Sequence, residues 1–293
     1  LGEVLTALGA VAVAADRAAQ ALRRRDLAVA ASPFADVQAV ESALLPTAER
    51  ERLTLAVQHH RDQVARVATL LASPERWIPL APFIEVAPFA AAAREKTRHR
   101  AAWAERSGSD PVAPWIAVVA MMRAGDKRRS YALLAEVLTR LGALDFRLLV
   151  AGDGPLAAEI GVELTQAAPG RVHCLGRISE AEMPGLLAAC DFFLWPAVSE
   201  AYGMALVEAQ AAGLPVVAGR EGGVGDIVRE GESGLLAPPR DAAALADLAA
   251  FLLRDAGLRA RLAQGARSHA DAALDIATGA RVLDAALRRV AHD

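Results

Sequence analysis

Asp191 to Gly223 reads DFFLWPAVSEAYGMALVEAQAAGLPVVAGREGG, and the rest of the chain is best understood outward from it. Phe192 to Trp195 is a short apolar run closed by Pro196, which predicts a buried strand. Val198-Ser199-Glu200-Ala201-Tyr202-Gly203 follows as a polar elbow. A helix is predicted from about Met204 to Ala212, stopped by Gly213 and Pro215. Leu214 to Ala218 is a second buried strand, and the loop Gly219 to Gly223 leads into another short helix. Strand, elbow, helix and strand make a βαβ unit, and ligands of such sheets bind outside the carboxyl ends of the strands.

The elbow sets two carboxylates, Glu200 and Glu208, on either side of a helix start. Glu200 precedes the helix and Glu208 lies more than a turn inside it, so one molecule can be held between them. The free amides of Gly203, Met204 and Ala205 form a helix N-terminus, which attracts anions through unpaired N–H groups and the helix dipole. Gly203 has no side chain to block a phosphate. Hydroxyls to carboxylates and phosphate to amides is the chemistry of a phosphorylated sugar. Two glutamates at a fixed spacing are, alone, no more than solvated charges; the elbow, the glycine and the flanking strands favour a site.

From Pro114 onward, apolar strands and helices alternate. The strands expected are Trp115 to Ala120, Phe146 to Ala151, Val172 to Leu175, Phe192 to Trp195, Leu214 to Ala218 and Gly234 to Leu236. Helices are expected at about Ser130 to Leu141, Pro155 to Ala168, Ser179 to Ala189 (opened by a Ser179-x-x-Glu182 capping box) and Ala205 to Ala212. This pattern is the signature of an α/β fold, a parallel Rossmann-like sheet covered on both faces. Asp241 to Leu253, Ala256 to Ala270 and Ala272 to Val290 are closing helices with no strand between them. Several loops fall at the strand carboxyl ends. One is Met121-Met122-Arg123-Ala124-Gly125-Asp126-Lys127; Lys127 is one of only two lysines in the chain, the other being Lys96, so a compact cation here suits a diphosphate. Gly152-Asp153-Gly154-Pro155 reads as a structural turn on the same rim. Gly176-Arg177-Ile178 can offer backbone groups to a nucleobase, and Gly222-Gly223-Val224-Gly225-Asp226 is a second amide-rich site.

The first hundred residues lack a strand followed by a glycine-rich turn. They read as a helix to about Arg25, a strand Leu27 to Ala31, a Ser32-Pro33 cap, a long helix Thr47 to Leu71 and an extended Trp77 to Val86. With a net charge of −3 in 293 residues, nothing argues for nucleic acid. The hydrophobic share of 54% is largely alanine and signals helix content, and no run long enough for a transmembrane span is present. The opening has no basic segment ahead of its apolar part, so no signal peptide is expected. Cys174 and Cys190 lack metal or disulfide spacing and read as buried thiols of a cytoplasmic protein. His59 and His60 are adjacent on a helix, do not share a face, and are read as surface residues rather than metal ligands.

SEAYGMALVEAQAAGLPVVA with GGVGDIV and GESGLLAPP resembles the donor-binding, C-terminal domain of retaining GT-B glycosyltransferases of the group 1 (family 4) type, over residues 115 to about 255. RWIPLAPFIEV resembles the linker into that domain. The resemblance implies three parts: a partial, mostly helical acceptor-side domain and linker over 1–110, a nucleotide-sugar donor domain over 111–270, and a C-terminal helix, 271–293, packing back toward the N-terminal part. It implies a nucleotide-diphosphate sugar as donor, a glycan, lipid or small-molecule acceptor, transfer with retention, and no metal or other cofactor. Peripheral membrane contact stays open. Residue by residue, it puts Glu200 at the reacting face of the donor sugar, Lys127 on the diphosphate and Glu208 on the ribose hydroxyls. The amides of Gly203, Met204 and Ala205 would face the leaving phosphate, Arg177 and Ile178 the base, and Gly222 and Gly223 the donor. The family's phosphate arginine stands five residues before the lysine; Arg123 stands four before Lys127, so that Met122 takes that place, and Arg128 replaces a usual glycine. Two alternatives remain: a non-catalytic nucleotide-sugar-binding remnant or partner subunit, suggested by the short first domain, and a nucleotide-sugar epimerase of the same architecture. A dinucleotide oxidoreductase would need a G-x-G-x-x-G turn with a following acidic residue, and none stands out.

Overall fold

The computed structural model describes residues 19–22, 52, 55–63, 80–142 and 144–292. Residues 19–22 and 55–63 are helical, the latter wholly exposed, with His59 bonded through its ring to Gln63 at 3.1 Å. The strand and cap expected over 27–33, and the start of the expected Trp77 to Val86 segment, lie outside the described residues. From Pro79 onward the chain forms one compact unit.

Six strands make its sheet: β1 (Trp115–Val119), β2 (Arg147–Ala151), β3 (Val172–Gly176), β4 (Phe192–Trp195), β5 (Val216–Gly219) and β6 (Gly234–Ala237). Their order is β3-β2-β1-β4-β5-β6, every pairing parallel. The parallel α/β sheet expected from the alternation is what the chain builds. β5 begins at Val216 and not at Leu214, because the Leu214 N–H turns back to the Ala209 carbonyl at 2.8 Å and Pro215 has no N–H to give.

The helices are α1 (Ala87–Arg94), α2 (Lys96–Ser107), α3 (Asp126–Leu141), α4 (Ala157–Ala167), α5 (Met183–Ala189), α6 (Met204–Ala211), α7 (Val224–Ile227), α8 (Ala242–Arg254), α9 (Ala256–His269) and α10 (Ile276–His292). α3 turns Leu134, Val137, Leu138 and Leu141 inward at helical spacing and packs between α4 and α8. In the same core lie the fully buried Leu148, Leu149 and Val150 of β2 and Phe192 and Phe193 of β4, alternating between the two faces of the sheet. Burying each such side chain is worth about 1.5–3 kcal/mol.

Caps explain the boundaries. Asp241 accepts the Ala244 N–H at 2.9 Å to open α8, and Asp255 that of Leu258 at 2.8 Å to open α9. At the Ser179 box, Glu182 reaches back to the Ser179 N–H at 3.3 Å, but the Ser179 hydroxyl donates to Glu182 at 2.6 Å instead of capping. The N–H groups of Glu182 and Met183 both close on the Ser179 carbonyl at 3.0 Å, so a tight turn precedes α5, which starts at Met183 and not at Ser179. The last helix expected from Ala272 instead opens with a π-helical turn, Ala270–Leu274, and α10 starts at Ile276. Ile84 donates to the Leu274 carbonyl at 3.0 Å and accepts from Ile276 at 2.8 Å, tying the stretch before α1 to the start of α10.

α1 and α2 fall within the span assigned from sequence to the front part and linker. They pack on α5. Trp103 of α2 enters the core at 6% exposure, and Arg100 reaches Asp191 at 2.9 Å and the carbonyls of Ala189 and Ala113.

Candidate functional site

The strand order reverses between β1 and β4: β2 lies on one side of β1, while β4, β5 and β6 extend on the other. The loops leaving β1 and β4 therefore part, and a cleft of about 790 Å³ opens over their carboxyl ends. The β1 loop delivers the first turn of α3, where Lys127 sits as the second residue of the helix and not in the loop where the sequence reading puts it. The β4 loop is the elbow.

The elbow is strained and clamped. Ala197 at φ 59° and Ser199 at φ 50° hold left-handed conformations that cost a non-glycine residue about 1–2 kcal/mol each. The Val198 N–H is held by the buried Ser130 hydroxyl of α3 at 3.0 Å. Ser199 lies beside Asp126, held below the ordinary carboxylate value by Arg129 and also by the Ser199 side chain, and beside Glu221, held down by Arg240 and also by the Ser199 backbone. Ala201 accepts the Gly223 N–H at 2.7 Å.

So held, Glu200 meets Lys127, Oε2 to Nζ 2.5 Å, with both side chains under one-fifth exposed. The same Oε2 accepts the Trp195 Nε1–H at 3.2 Å, and Lys127 Nζ stands 5.4 Å from the Trp195 ring centroid. Tyr131 meets that ring edge-on at 5.1 Å and donates to the Ala120 carbonyl at 2.9 Å. Burial pushes its phenol up, so it remains a neutral donor.

α6 starts directly behind Glu200. Its N-cap, Gly203, is left-handed at φ 76° and offers no side-chain cap, so the N–H groups of Met204 and Ala205 open onto the cleft. Glu208 lines the far end of the same cleft, and its carboxylate has no hydrogen-bond or ion-pair partner among the described residues. Burial, and then the charge of Glu180 on the facing loop, raise its carboxyl above the ordinary glutamate value. Arg177 and Ile178 form the wall beside Glu180, with Arg177 Nε 3.6 Å from Asp153.

Met122 is buried in the core at 2% exposure, with its backbone bonded to Asp153 and Leu156, while Arg123 lines the cleft. Arg128 turns away to Glu159 and Glu163 on α4, at 2.9 and 3.0 Å. Gly222 and Gly223 stand behind the elbow and do not line the cleft: a Cβ on Gly222 would meet the Glu200 carbonyl oxygen at 1.8 Å. The structure thus gathers Lys127, Arg123, Arg177, Ile178, Glu200 and Glu208 around one cleft, with the Gly203–Ala205 backbone at its base. Sequence reasoning passed over Trp195, Ser130 and Glu180. Trp195 ends the apolar run and so counted only as core, and Ser130 is a polar residue at the start of an expected helix. Among the described residues no group of three or more His, Cys, Asp or Glu could hold a metal ion, and no helix is long and apolar enough to cross a membrane.

Residues 116–269 match the family described as Glycosyl transferases group 1. A D-inositol 3-phosphate glycosyltransferase of Corynebacterium efficiens is 37% identical over 47% of this chain and 34% of its own length. One from Salinispora arenicola is 34% identical over 68% of this chain and 46% of its own. The chain thus spans less than half the length of these relatives. Among solved structures, Anabaena HepE in complex with UDP and glucose superposes with a TM-score of 0.59 at 20% identity, over 71% of this chain and 56% of that one. Sucrose-phosphate synthase of Thermosynechococcus elongatus gives 0.58 at 24%, over 73% and 52%. Both share the fold of the sheet and its helices.

Proposed function

The chain belongs to the group 1 glycosyl transferases, and we propose that its cleft binds a nucleotide-diphosphate sugar and serves transfer of the sugar to an acceptor hydroxyl with retention of configuration. The observation that carries this reading is the meeting of Lys127 and Glu200 over the reversal point of the sheet, in front of the uncapped start of α6. Anion-binding groups cluster there: Lys127, Arg123 and two amides. Hydroxyl acceptors flank them: Glu200 on one side and Glu208 on the other. A diphosphate between sugar and ribose has the matching order of charge and hydroxyls. The structure known with UDP and glucose shares the fold.

In this reading the bond between the sugar's anomeric carbon and the diphosphate oxygen breaks, and the leaving oxygen gathers charge. Lys127 and the amides of Met204 and Ala205 stabilise that charge where it develops. The acceptor oxygen arrives on the same face, forms the new bond, and gives its proton to the departing phosphate. Glu200 orients the sugar and forms no covalent bond to it. The positive charge needed is supplied by the chain itself, and no metal cofactor takes part. The acceptor is a glycan, lipid or small molecule, and the site of action is the cytoplasm, where Cys190, buried as expected, and Cys174, exposed on β3 rather than buried, stay as free thiols.

The test is calorimetric titration with UDP, GDP and ADP, on the unaltered chain and on Lys127→Ala and Glu208→Ala. One nucleotide should bind, without added metal and in the presence of a chelator, and each substitution should weaken it about tenfold or more. Absence of binding by a folded chain would sink the proposal.

A further inference from the structure

A second recess, about 360 Å³ in volume, lies at the opposite pole of the sheet, by the amino end of β4. One wall is a single face of α9, carrying Arg259, Ala263 and Arg267; the other carries Lys96 at the start of α2, Asp191 and Gly213. The donor cleft makes no use of any of these residues, and Lys96 is the second of the chain's two lysines.

The plain explanation for basic residues here is helix capping, because α5, α6 and α8 all end nearby. Lys96 donates to the Cys190 carbonyl at 2.5 Å, and Arg259 donates to the carbonyls of Leu252 and Leu253. Capping does not exhaust the charge. Each helix C-terminus carries about half a negative charge. Asp191, with Asp255 at the capped start of α9, adds two full ones. Lys96, Arg100, Arg259 and Arg267 outweigh them, leaving a surplus of about half a positive charge. Asp191 is itself fully engaged: burial works against its charge, but Lys96, the Trp115 N–H and Arg100 together hold its carboxyl below the ordinary value. The Arg267 guanidinium has no hydrogen-bond or ion-pair partner among the described residues. Its guanidinium lies over Gly213, where a Cβ would meet it at 2.7 Å, so the absent side chain is what makes room for it.

We propose that this recess is a binding site for a phosphate monoester, with the phosphate held by Arg267, Arg259 and Lys96. Three cations converge from two walls, which matches a group with three terminal oxygens and close to two charges better than a planar carboxylate. The volume exceeds that of phosphate alone and accommodates a small attached moiety. The phosphate belongs either to a soluble ester or to a phospholipid headgroup. The proposal is independent of the donor reading.

Backbone amide resonances of Gly213 and Ala263 report this recess, and those of Met204 and Ala205 report the donor cleft. Titration with inorganic phosphate at constant ionic strength should shift Gly213 and Ala263 saturably, with a Kd of about 1–10 mM. Arg267→Gln should weaken this about tenfold, and Ala263→Glu, which puts a carboxylate into the wall, should abolish it. Both variants should leave shifts at Met204 and Ala205 as they were. Sedimentation with phosphatidylcholine vesicles carrying about 20% phosphatidic acid separates the sources. Co-sedimentation lost in Arg267→Gln assigns a lipid headgroup, and phosphate binding without co-sedimentation assigns a soluble ester. Unsaturable shifts at Gly213, or shifts unchanged in Arg267→Gln, overturn the proposal.

Discussion

Gly222→Ala is the sharpest test of how the elbow is held. The residue stands at φ +59°, which an alanine adopts at a cost of about 1–2 kcal/mol. Its new Cβ would lie 1.8 Å from the Glu200 carbonyl oxygen and 2.9 Å from its carbonyl carbon. A tolerable carbon–oxygen contact is nearly twice the first distance, so one of the two backbones must move by more than about 1 Å. Overpacking of this kind costs a further 1–3 kcal/mol, roughly. The loss of about 2–5 kcal/mol should lower the melting temperature by roughly 5–15 °C. The displaced carbonyl belongs to the residue whose carboxylate meets Lys127 at 2.5 Å, and a shift of about 1 Å can cost a hundredfold in turnover. Gly225→Ala is the matched control. Gly225 lies three residues on, has no positive φ, and its Cβ would find nothing nearer than Arg220 at 3.9 Å. The assay is paired: melting by circular dichroism, and nucleotide affinity with release of the nucleoside diphosphate from the sugar nucleotide whose base the chain binds. If Gly222→Ala melts and turns over like Gly225→Ala, the elbow is not held from behind and the reasoning fails.

Ser130→Ala removes the hydroxyl that accepts the buried Val198 N–H and should cost about 1–3 kcal/mol. If the clamp matters, it should lower kcat more than it raises KM, whereas a purely structural role would shift melting alone. For Glu208, burial and Glu180 raise the carboxyl pKa in the fold. The stability linked to its proton is present below the ordinary glutamate range and is lost as pH rises through the raised value. At neutral pH Glu208→Gln should therefore stabilise the unliganded chain while weakening nucleotide binding about tenfold; a destabilised variant would contradict the assignment. For Asp191 the sign reverses: with its pKa held down, its contribution is present above the ordinary aspartate value and disappears as pH falls through the depressed one. Acid unfolding followed from pH 5 downward should be steeper in the unaltered chain than in Asp191→Asn, and parallel curves would count against the Lys96–Asp191–Arg100 cluster.

Much of the sheet was legible because its central strands are buried on both faces, whereas the edge strand β3 is half exposed. Trp115 to Val119 and Phe192 to Trp195 are uninterrupted apolar runs next to Pro114 and Pro196, and β4 has the bounds read from sequence. α1 and α2 were not legible: APFAAAAR is mostly alanine with Phe89 its one large apolar residue, and KTRHRAAWAERS sets Trp103 and three alanines among polar residues, so neither shows a clear stripe of large apolar side chains. Lys127 stood out by rarity, and Glu200 and Glu208 by the elbow around them. Ser130 could not stand out, because its partner Val198 is 68 residues away and its role exists only once α3 crosses behind β4. The same holds for Gly222, whose contact with Glu200 is a backbone approach with no side-chain signature. Arg123 against Met122 was undecidable by spacing, since adjacent positions differ only in which side chain turns inward. Met122 did.

The elbow's strain and its clamps are two sides of one requirement. Left-handed Ala197 and Ser199 together store about 2–4 kcal/mol, and a free loop would release it by relaxing to ordinary backbone. The bonds from the Val198 N–H to Ser130 and from the Gly223 N–H to Ala201 each return about 0.5–1.5 kcal/mol, a sum that offsets most of the cost of the bend. Glu200 is therefore set before any ligand arrives, and set against Lys127 and Trp195, so its charge is already matched. In the proposed function a diphosphate entering the cleft competes with Glu200 for Lys127. That exchange is of charge for charge, and the desolvation of both partners has been met in the unliganded fold. Glu200 keeps the Trp195 N–H and becomes free to take a sugar hydroxyl, while Arg123 and the amides of α6 carry the phosphate charge that one lysine leaves unmatched. Trp195→Phe separates this account from one in which Glu200 acts unaided. Loss of the indole N–H should leave nucleotide affinity within about twofold and lower turnover about tenfold, because only the freed carboxylate depends on it. A Trp195→Phe chain that loses nucleotide binding and keeps its turnover would reverse the assigned roles.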